Sequence, residues 1–143
     1  MLHLFAIAAH YGIQIHGSVL PGDLLAMYVP ALARIYFDLR LTAAERRSAV
    51  AHEIGHAHYG HDCTTAANER QADAFAARLL IPADRYATLE RVSPDMHYLA
   101  DELNVTTRVV EAFRKHCVVR LGDTTYVRPK MGAGQWAARI EMA

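Results

Sequence analysis

The spacing of apolar and polar residues predicts the elements of this chain before its chemistry is considered. Residues 2–11 form an apolar stretch, broken by His3 and His10, that reads as a first, buried helix ended by Gly12. Ile13-Gln14-Ile15 alternates as a short strand does. Pro21-Gly22-Asp23 is a turn signal. Residues 24–29 predict a second strand, closed by Pro30, and residues 33–39 a third. Together they predict a small three-stranded antiparallel sheet. The segments between them are too short for the helical crossovers that parallel pairing requires.

The pattern then turns helical. Thr42-Ala43-Ala44-Glu45 is a capping box, in which the Thr hydroxyl accepts from the N–H three residues on and Glu45 reaches back to the N–H of Thr42. It predicts a helix from 43 to about 59, with Gly60 as its stop. Gly55 inside it carries a propensity cost of about 1 kcal/mol relative to Ala. It serves close approach of neighbouring backbone or substrate, or it is simply tolerated in packing. Residues 61–67 form a polar connector. A third helix spans about 66–80, with Ala72, Phe75, Ala76, Leu79 and Leu80 on its apolar side. Ile81-Pro82 ends it, and Pro82 opens a short helix. Ser93-Pro94-Asp95 predicts a helix over 94–103, with Ser93 as cap and Pro94 at the first helical position. Thr106 caps a helix over 107–116. Residues 117–121, the turn Gly122-Asp123 and residues 124–128 read as a hairpin. Residues 129–143, with Gly132, Gly134 and the lone Trp136, read either as a loosely held tail or as a segment anchored by Trp136. Phe5, Tyr11, Phe37 and Phe113 read as core. The fold class is α+β: a small antiparallel sheet packed on mainly helical structure, with a C-terminal helical pair and hairpin.

Length and charge narrow the class. With 143 residues, about half of them apolar, the chain predicts a single domain over 1–143. Residues 1–92 would be its core and 93–143 an extension. The formal net charge is zero, so no global attraction to nucleic acid or membrane is expected. Cys63 and Cys117 form no CxxC pair, which points to a reducing cytoplasm. No apolar run approaches the ~20 residues of a membrane span. The N-terminus lacks the basic flank of a signal peptide.

The candidate chemistry lies at Ala51-His52-Glu53-Ile54-Gly55-His56-Ala57. Positions four apart in a helix lie nearly above one another, so His52 and His56 share a face and can grip one metal ion. Glu53 stands beside that line, where it can take a proton from an attacking water. His-Glu-x-x-His is the pattern of zinc hydrolases: two His ligands and a Glu general base. A catalytic zinc needs a third protein ligand and an open position. Glu69 and Asp73, four apart on the next helix, supply candidates. Glu69 reads as the third ligand. Asp73 reads as the acceptor for the far nitrogen of a ligating His, fixing that ring. Asp73 lies among alanines and Phe75, and a carboxylate there needs a partner.

Two spaced motifs carry a family resemblance. His52-Glu53-Ile54-Gly55-His56 is followed by Glu69-x-x-Ala72-Asp73-x-Phe75-Ala76-x-x-Leu79-Leu80-x-Pro82. This pattern resembles the ImmA/IrrE metallopeptidases of phages, integrative elements and bacteria. The run Leu20-Pro21-Gly22 onward to Leu39 resembles the family's N-terminal strands, and the similarity covers about residues 1–115. The resemblance implies a small gluzincin-like α+β fold, hence a zincin-like core. It implies zinc-dependent peptide hydrolysis of a regulatory protein substrate, typically a repressor. It also implies His52, His56 and Glu69 as ligands and Glu53 as the catalytic base. Gln71 departs from the pattern, since many members carry a second acid there.

One zinc ion per chain is therefore expected, although Mn2+ or Fe2+ suits the same ligand set. Tyr28, Tyr59, His58 and His61 are candidates by type for stabilising the oxyanion. His58 and His61 also fit exposed polar positions at a helix end. An extended substrate would pair with an edge strand, such as 24–29. An alternative class rests on segment 96–116, which resembles a helix-turn-helix and would offer Arg108, Arg114 and Lys115 to DNA. The neutral net charge weighs against it, so neither nucleic acid nor membrane is expected as a partner. In a second alternative the metal site is structural and the protein binds a repressor without cutting it. An intact Glu53 argues against that, because a structural site gains nothing from a general base.

Overall fold

A computed structural model describes residues 1–121, 124–127 and 138–141, with side chains through Val118. The order of elements is α1 (Leu2–His10), β1 (Gln14–Ser18), β2 (Ala26–Val29), β3 (Arg34–Asp38), α2 (Ala43–Tyr59) and α3 (Ala66–Leu80). Then follow α4 (Ala83–Val92), α5 (Met96–Leu103), α6 (Thr107–His116), β4 (Val118–Leu121), β5 (Thr124–Val127) and β6 (Ala138–Glu141). The fold is α+β, as expected. It divides into two compact units, Met1–Ala76 and Ala77–Ala143.

In the first unit the sheet order is β1-β3-β2. β2 pairs antiparallel with β3, but β1 pairs with β3 in parallel, from Gln14 opposite Arg34 to Ser18 opposite Asp38. The sheet is therefore mixed, not purely antiparallel. No helical crossover is needed because β2 is itself the return leg. The chain leaves β1, crosses to the far edge, runs back as β2, and turns through Pro30–Leu32 into the middle position. A polar clamp fastens the crossing. The Asp38 carboxylate accepts from the Leu20 N–H at 3.0 Å and from the Arg40 N–H at 2.8 Å, while Arg40 donates to the Leu20 carbonyl at 3.0 Å. The Arg40 guanidinium holds the Asp38 carboxyl well below the usual carboxylate range.

Ile35 and Phe37 alternate inward from β3 and are buried, and α2 packs against β2 and β3. Val50, Ala51 and Ile54 give α2 its buried stripe at helical spacing. Leu4 and Ala8 do the same for α1. Phe5 and Tyr11 are each 40% exposed, so of the four aromatic residues expected in the core only Phe37 and Phe113 lie there. On α1 the period selects Leu4 and Ala8 and turns Phe5 outward.

In the second unit Tyr86 is fully buried, its ring 4.8 Å from that of Phe113 and its hydroxyl accepting from Arg114 Nε at 2.9 Å. Arg114 also donates to the Pro94 carbonyl. Helix α5 starts two residues later than Ser93-Pro94 suggested. Asp95 is its cap, accepting from the Tyr98 N–H at 2.9 Å, while Ser93 Oγ accepts from the Asp95 N–H at 3.2 Å. The Ser and the Asp both present cap oxygens, and the carboxylate is the stronger acceptor. Strands β4, β5 and β6 form an antiparallel sheet in that order. The expected hairpin is thus present, its turn at Gly122-Asp123 lying outside the described residues. Residues 138–141 pair with β5, which corrects the reading of a loose tail there. Gly132, Gly134 and Trp136 lie outside the described residues.

Candidate metal centre

The N-terminus of α2 is fixed by both arms of the capping box. Thr42 Oγ accepts from the Glu45 N–H at 3.2 Å, and Glu45 accepts from the Thr42 N–H at 3.0 Å. The helix then runs unbroken through its two histidines. The Nε2 atoms of His52 and His56 stand 3.1 Å apart. Thr65 stands just before α3, and its hydroxyl accepts from the Asn68 N–H at 3.1 Å. The first turn of α3 delivers Glu69 between the two rings: Oε2 lies 2.9 Å from His52 Nε2, and Oε1 lies 3.0 Å from His56 Nε2.

Gly55 makes this reach possible. A Cβ there would stand 3.0 Å from Ala72 Cα, 3.1 Å from the Ala72 carbonyl oxygen and 3.2 Å from Phe75 Cβ. The two helices therefore meet backbone to side, and the sequence's open choice for Gly55 resolves to close approach of protein backbone.

His52, His56 and Glu69 form a group that could hold a metal ion, their donor atoms all within 4.8 Å of one another. The fit can be tested on spacing. A tetrahedral ion with bonds near 2.0–2.1 Å places neighbouring donors about 3.3 Å apart. The observed separations of 2.9–3.1 Å are close to that edge length. The donor chemistry fits as well. Two imidazoles and a carboxylate suit a divalent ion, and the far nitrogens of both rings are engaged elsewhere.

His52 Nδ1 lies 2.8 Å from Asp73 Oδ1, as the spacing on α3 predicts. Burial lowers the pKa of the His52 ring. The hydrogen bond to Asp73, with the charges of Glu53, Asp73 and Glu69, outweighs that and holds it above its ordinary value. His56 moves the other way, lowered first by burial and then by the charge of His52. Glu53 is pushed up to about 7 by burial, against the pull of His52 and of a backbone hydrogen bond. That bond is from the Tyr28 N–H to Glu53 Oε2, at 3.0 Å.

The four oxyanion candidates separate. Tyr28 touches Glu53 through its backbone. His61 lies behind His56, with its Nδ1 3.0 Å from His56 Nδ1 and its Nε2 2.8 Å from Gln71 Oε1. His58 is drawn to α1 and α3 instead. Its Nδ1 is 2.7 Å from the Tyr11 hydroxyl, and its ring stacks on Phe75. Tyr59 stacks on His61 and meets Phe75 edge-on. Sequence reasoning missed the contacts of His61 and Gln71. A signal was present in Gly60. Its left-handed conformation, φ 67°, lets the His61 N–H turn back to the His56 carbonyl at 2.9 Å, which places His61 under that ring.

The chain matches the family model Peptidase M78, the IrrE N-terminal-like domain, over residues 8–113. No curated protein matches it. The match covers more than half of the sequence, and the chain belongs to this family of metallopeptidases.

Proposed function

We propose that this member of the Peptidase M78 family is a zinc-dependent endopeptidase. His52, His56 and Glu69 are its ligands, Glu53 its general base, and a regulatory protein such as a phage or mobile-element repressor its substrate. The observation that carries the reading is the convergence of the three donors beside a buried carboxylate. The two-His, one-carboxylate set supports zinc, and manganese or iron is the alternative occupant. Family membership supports a protein substrate, and a repressor is what the resemblance to the ImmA/IrrE metallopeptidases implies. Cysteine usage, two residues with no CxxC pair, supports a cytoplasmic setting. Among the described residues no helix is long and apolar enough to cross a membrane.

The chemistry that zinc supplies when bound is Lewis acidity toward a peptide carbonyl and toward water. The rest falls to the chain. Glu53 Oε2 is fixed by the Tyr28 N–H, which leaves Oε1 to take a proton from the attacking water. The protonated Glu53 carboxyl can then pass that proton to the leaving amine. Asp73 holds the His52 ring in place. β2 is an edge strand, so an extended peptide can pair along it next to Glu53. Tyr28, placed beside Glu53, and Tyr59 remain as oxyanion donors. Both ring nitrogens of His61 and Nδ1 of His58 are already engaged.

The DNA-binding alternative loses support at Arg114, whose guanidinium is committed to Tyr86 and Pro94 within the second unit. The first experiment is elemental analysis of wild type and Glu69→Ala, paired with cleavage assays of Glu53→Gln on a candidate repressor. One zinc per chain, lost in Glu69→Ala, is expected. Glu53→Gln should keep the metal and lose cleavage. A wild type without metal after incubation with zinc, or a Glu53→Gln protein that cleaves normally, overturns the assignment.

A further inference from the structure

We propose that His61 and Gln71 are positioning residues for the metal centre. They form a neutral hydrogen-bond relay that fixes which nitrogen of His56 presents its lone pair to the ion. The inference rests on the metal-site reading above and extends it to residues outside the ligand set.

The argument is one of donors and acceptors. His56 Nδ1 and His61 Nδ1 are 3.0 Å apart, so one must donate and the other accept. A neutral imidazole carries one N–H, and the bond made by the other nitrogen decides where it sits. His61 Nε2 lies 2.8 Å from Gln71 Oε1, an amide oxygen that only accepts. His61 therefore carries its hydrogen on Nε2 and has a lone pair on Nδ1. His56 must then donate from Nδ1. That leaves His56 Nε2 bare, and this is the nitrogen facing His52 Nε2 and Glu69. Presenting a donor at position 71 would reverse every bond in the chain. His61 would donate to His56, and the His56 proton would point into the centre and block an ion.

The two ligating rings thus reach the same tautomer by different means. His52 is set by one carboxylate, Asp73. His56 is set by two uncharged groups in series. The backbone holds the relay in place. Gly60 ends α2 in the left-handed region, and the His61 N–H returns to the carbonyl of His56 itself, at 2.9 Å. Ring and relay partner are so tied by main chain as well as side chain. Gln71 lies between Glu69 and Asp73 in the sequence of α3, so one helix supplies acceptors to three histidines.

The test is the zinc dissociation constant of the full chain, by competition with a chromophoric chelator. The variants are Gln71→Glu, Gln71→Leu and Gln71→Arg. Position 71 is exposed, so none of these should alter folding, and thermal melts of the metal-free proteins verify that. Loss of an outer partner of a ligating His weakens metal binding by 10–100-fold in general. Gln71→Glu keeps an acceptor and should bind within about twofold of wild type, short of that range. Gln71→Leu should bind about tenfold more weakly, and Gln71→Arg, which forces a donor on His61, more weakly still. Charge alone would rank Glu above Arg but would leave the uncharged Gln71→Leu at wild-type affinity, so the tenfold loss in Gln71→Leu is the outcome that marks the relay. A wild type that binds zinc while all three variants bind equally overturns the relay and leaves the metal site standing. A wild type that binds no zinc overturns both.

Discussion

Helices α2 and α5 end in the same way and put the ending to different uses. Each closes on a left-handed residue, Gly60 at φ 67° and Asn104 at φ 54°. Each then folds the following N–H back onto the helix: His61 to the His56 carbonyl at 2.9 Å, Val105 to the Ala100 carbonyl at 3.0 Å. The second bond of the motif is present in both, at 3.2 Å, from Gly60 to Ala57 and from Asn104 to Asp101. The residue that follows makes the difference. Val105 is 2% exposed and joins the core of its unit. His61 meets His56 and Gln71. A backbone turn fixes only a place. Whether that place serves packing or chemistry is decided by one side chain.

The contrast predicts that residues of the site and residues of the core answer stability measurements with opposite sign. Glu53 gives the largest effect. Its folded pKa, about 7, lies above its ordinary value of 4.5 because burial penalises the ionised form. The folded state therefore binds the proton more tightly, and stability falls as pH rises from about 4.5 to above 7, by up to about 3 kcal/mol. In chelator-treated protein, Glu53→Gln should remove this decline and be the more stable at pH 8. Equal pH profiles in denaturant titrations would show that burial of Glu53 has no such cost. Val105→Ala should act conversely, losing about 2–3 kcal/mol at all pH values with zinc affinity untouched. Gly60→Ala combines the two behaviours. A Cβ at this φ costs about 1–2 kcal/mol, and the displaced His61 should also weaken zinc binding, as calorimetry would report. Stability lost with metal affinity intact would separate the turn from the site. The smallest effect is at the opposite end of α2. The Glu45 carboxyl is lowered by accepting from Thr42, so its contribution is complete above its unfolded pKa and fades as pH falls through the folded one. Glu45→Gln should melt with a shallower pH dependence below about pH 5, and an unchanged slope would remove the capping box as its source.

Local signals made much of this legible in advance. The Thr42–Glu45 box and Gly60 bound α2, and the i, i+4 spacings of His52/His56 and Glu69/Asp73 brought the same four residues together in space. The parallel pairing of β1 with β3 was not legible. Nothing within a strand records that a later strand will slot between it and its neighbour. The start of α5 was misplaced because Ser93 and Asp95 both have cap oxygens, and the carboxylate, the stronger acceptor, takes the Tyr98 N–H. His61 escaped because it follows the helix and lies outside the 3.6-residue period, placed by a turn whose consequences are three-dimensional. The contact of the Tyr28 N–H with Glu53 escaped for a different reason, since backbone donors leave no trace in residue type.

The bare backbone at Gly55 has a consequence for how this protein can vary. Three histidines and three acceptors face each other across the seam between α2 and α3. Hydrogen bonds of 2.8 Å fail once stretched beyond about 3.5 Å, so the seam tolerates an opening of well under one ångström. Ala72, fully buried and with its backbone against Gly55, sits on that seam. A larger residue there would leave every functional side chain in the sequence and put them out of one another's reach. Inheritance at Ala72 is therefore inheritance of a distance, and a family tree of such proteins would record it as constancy at an inert position.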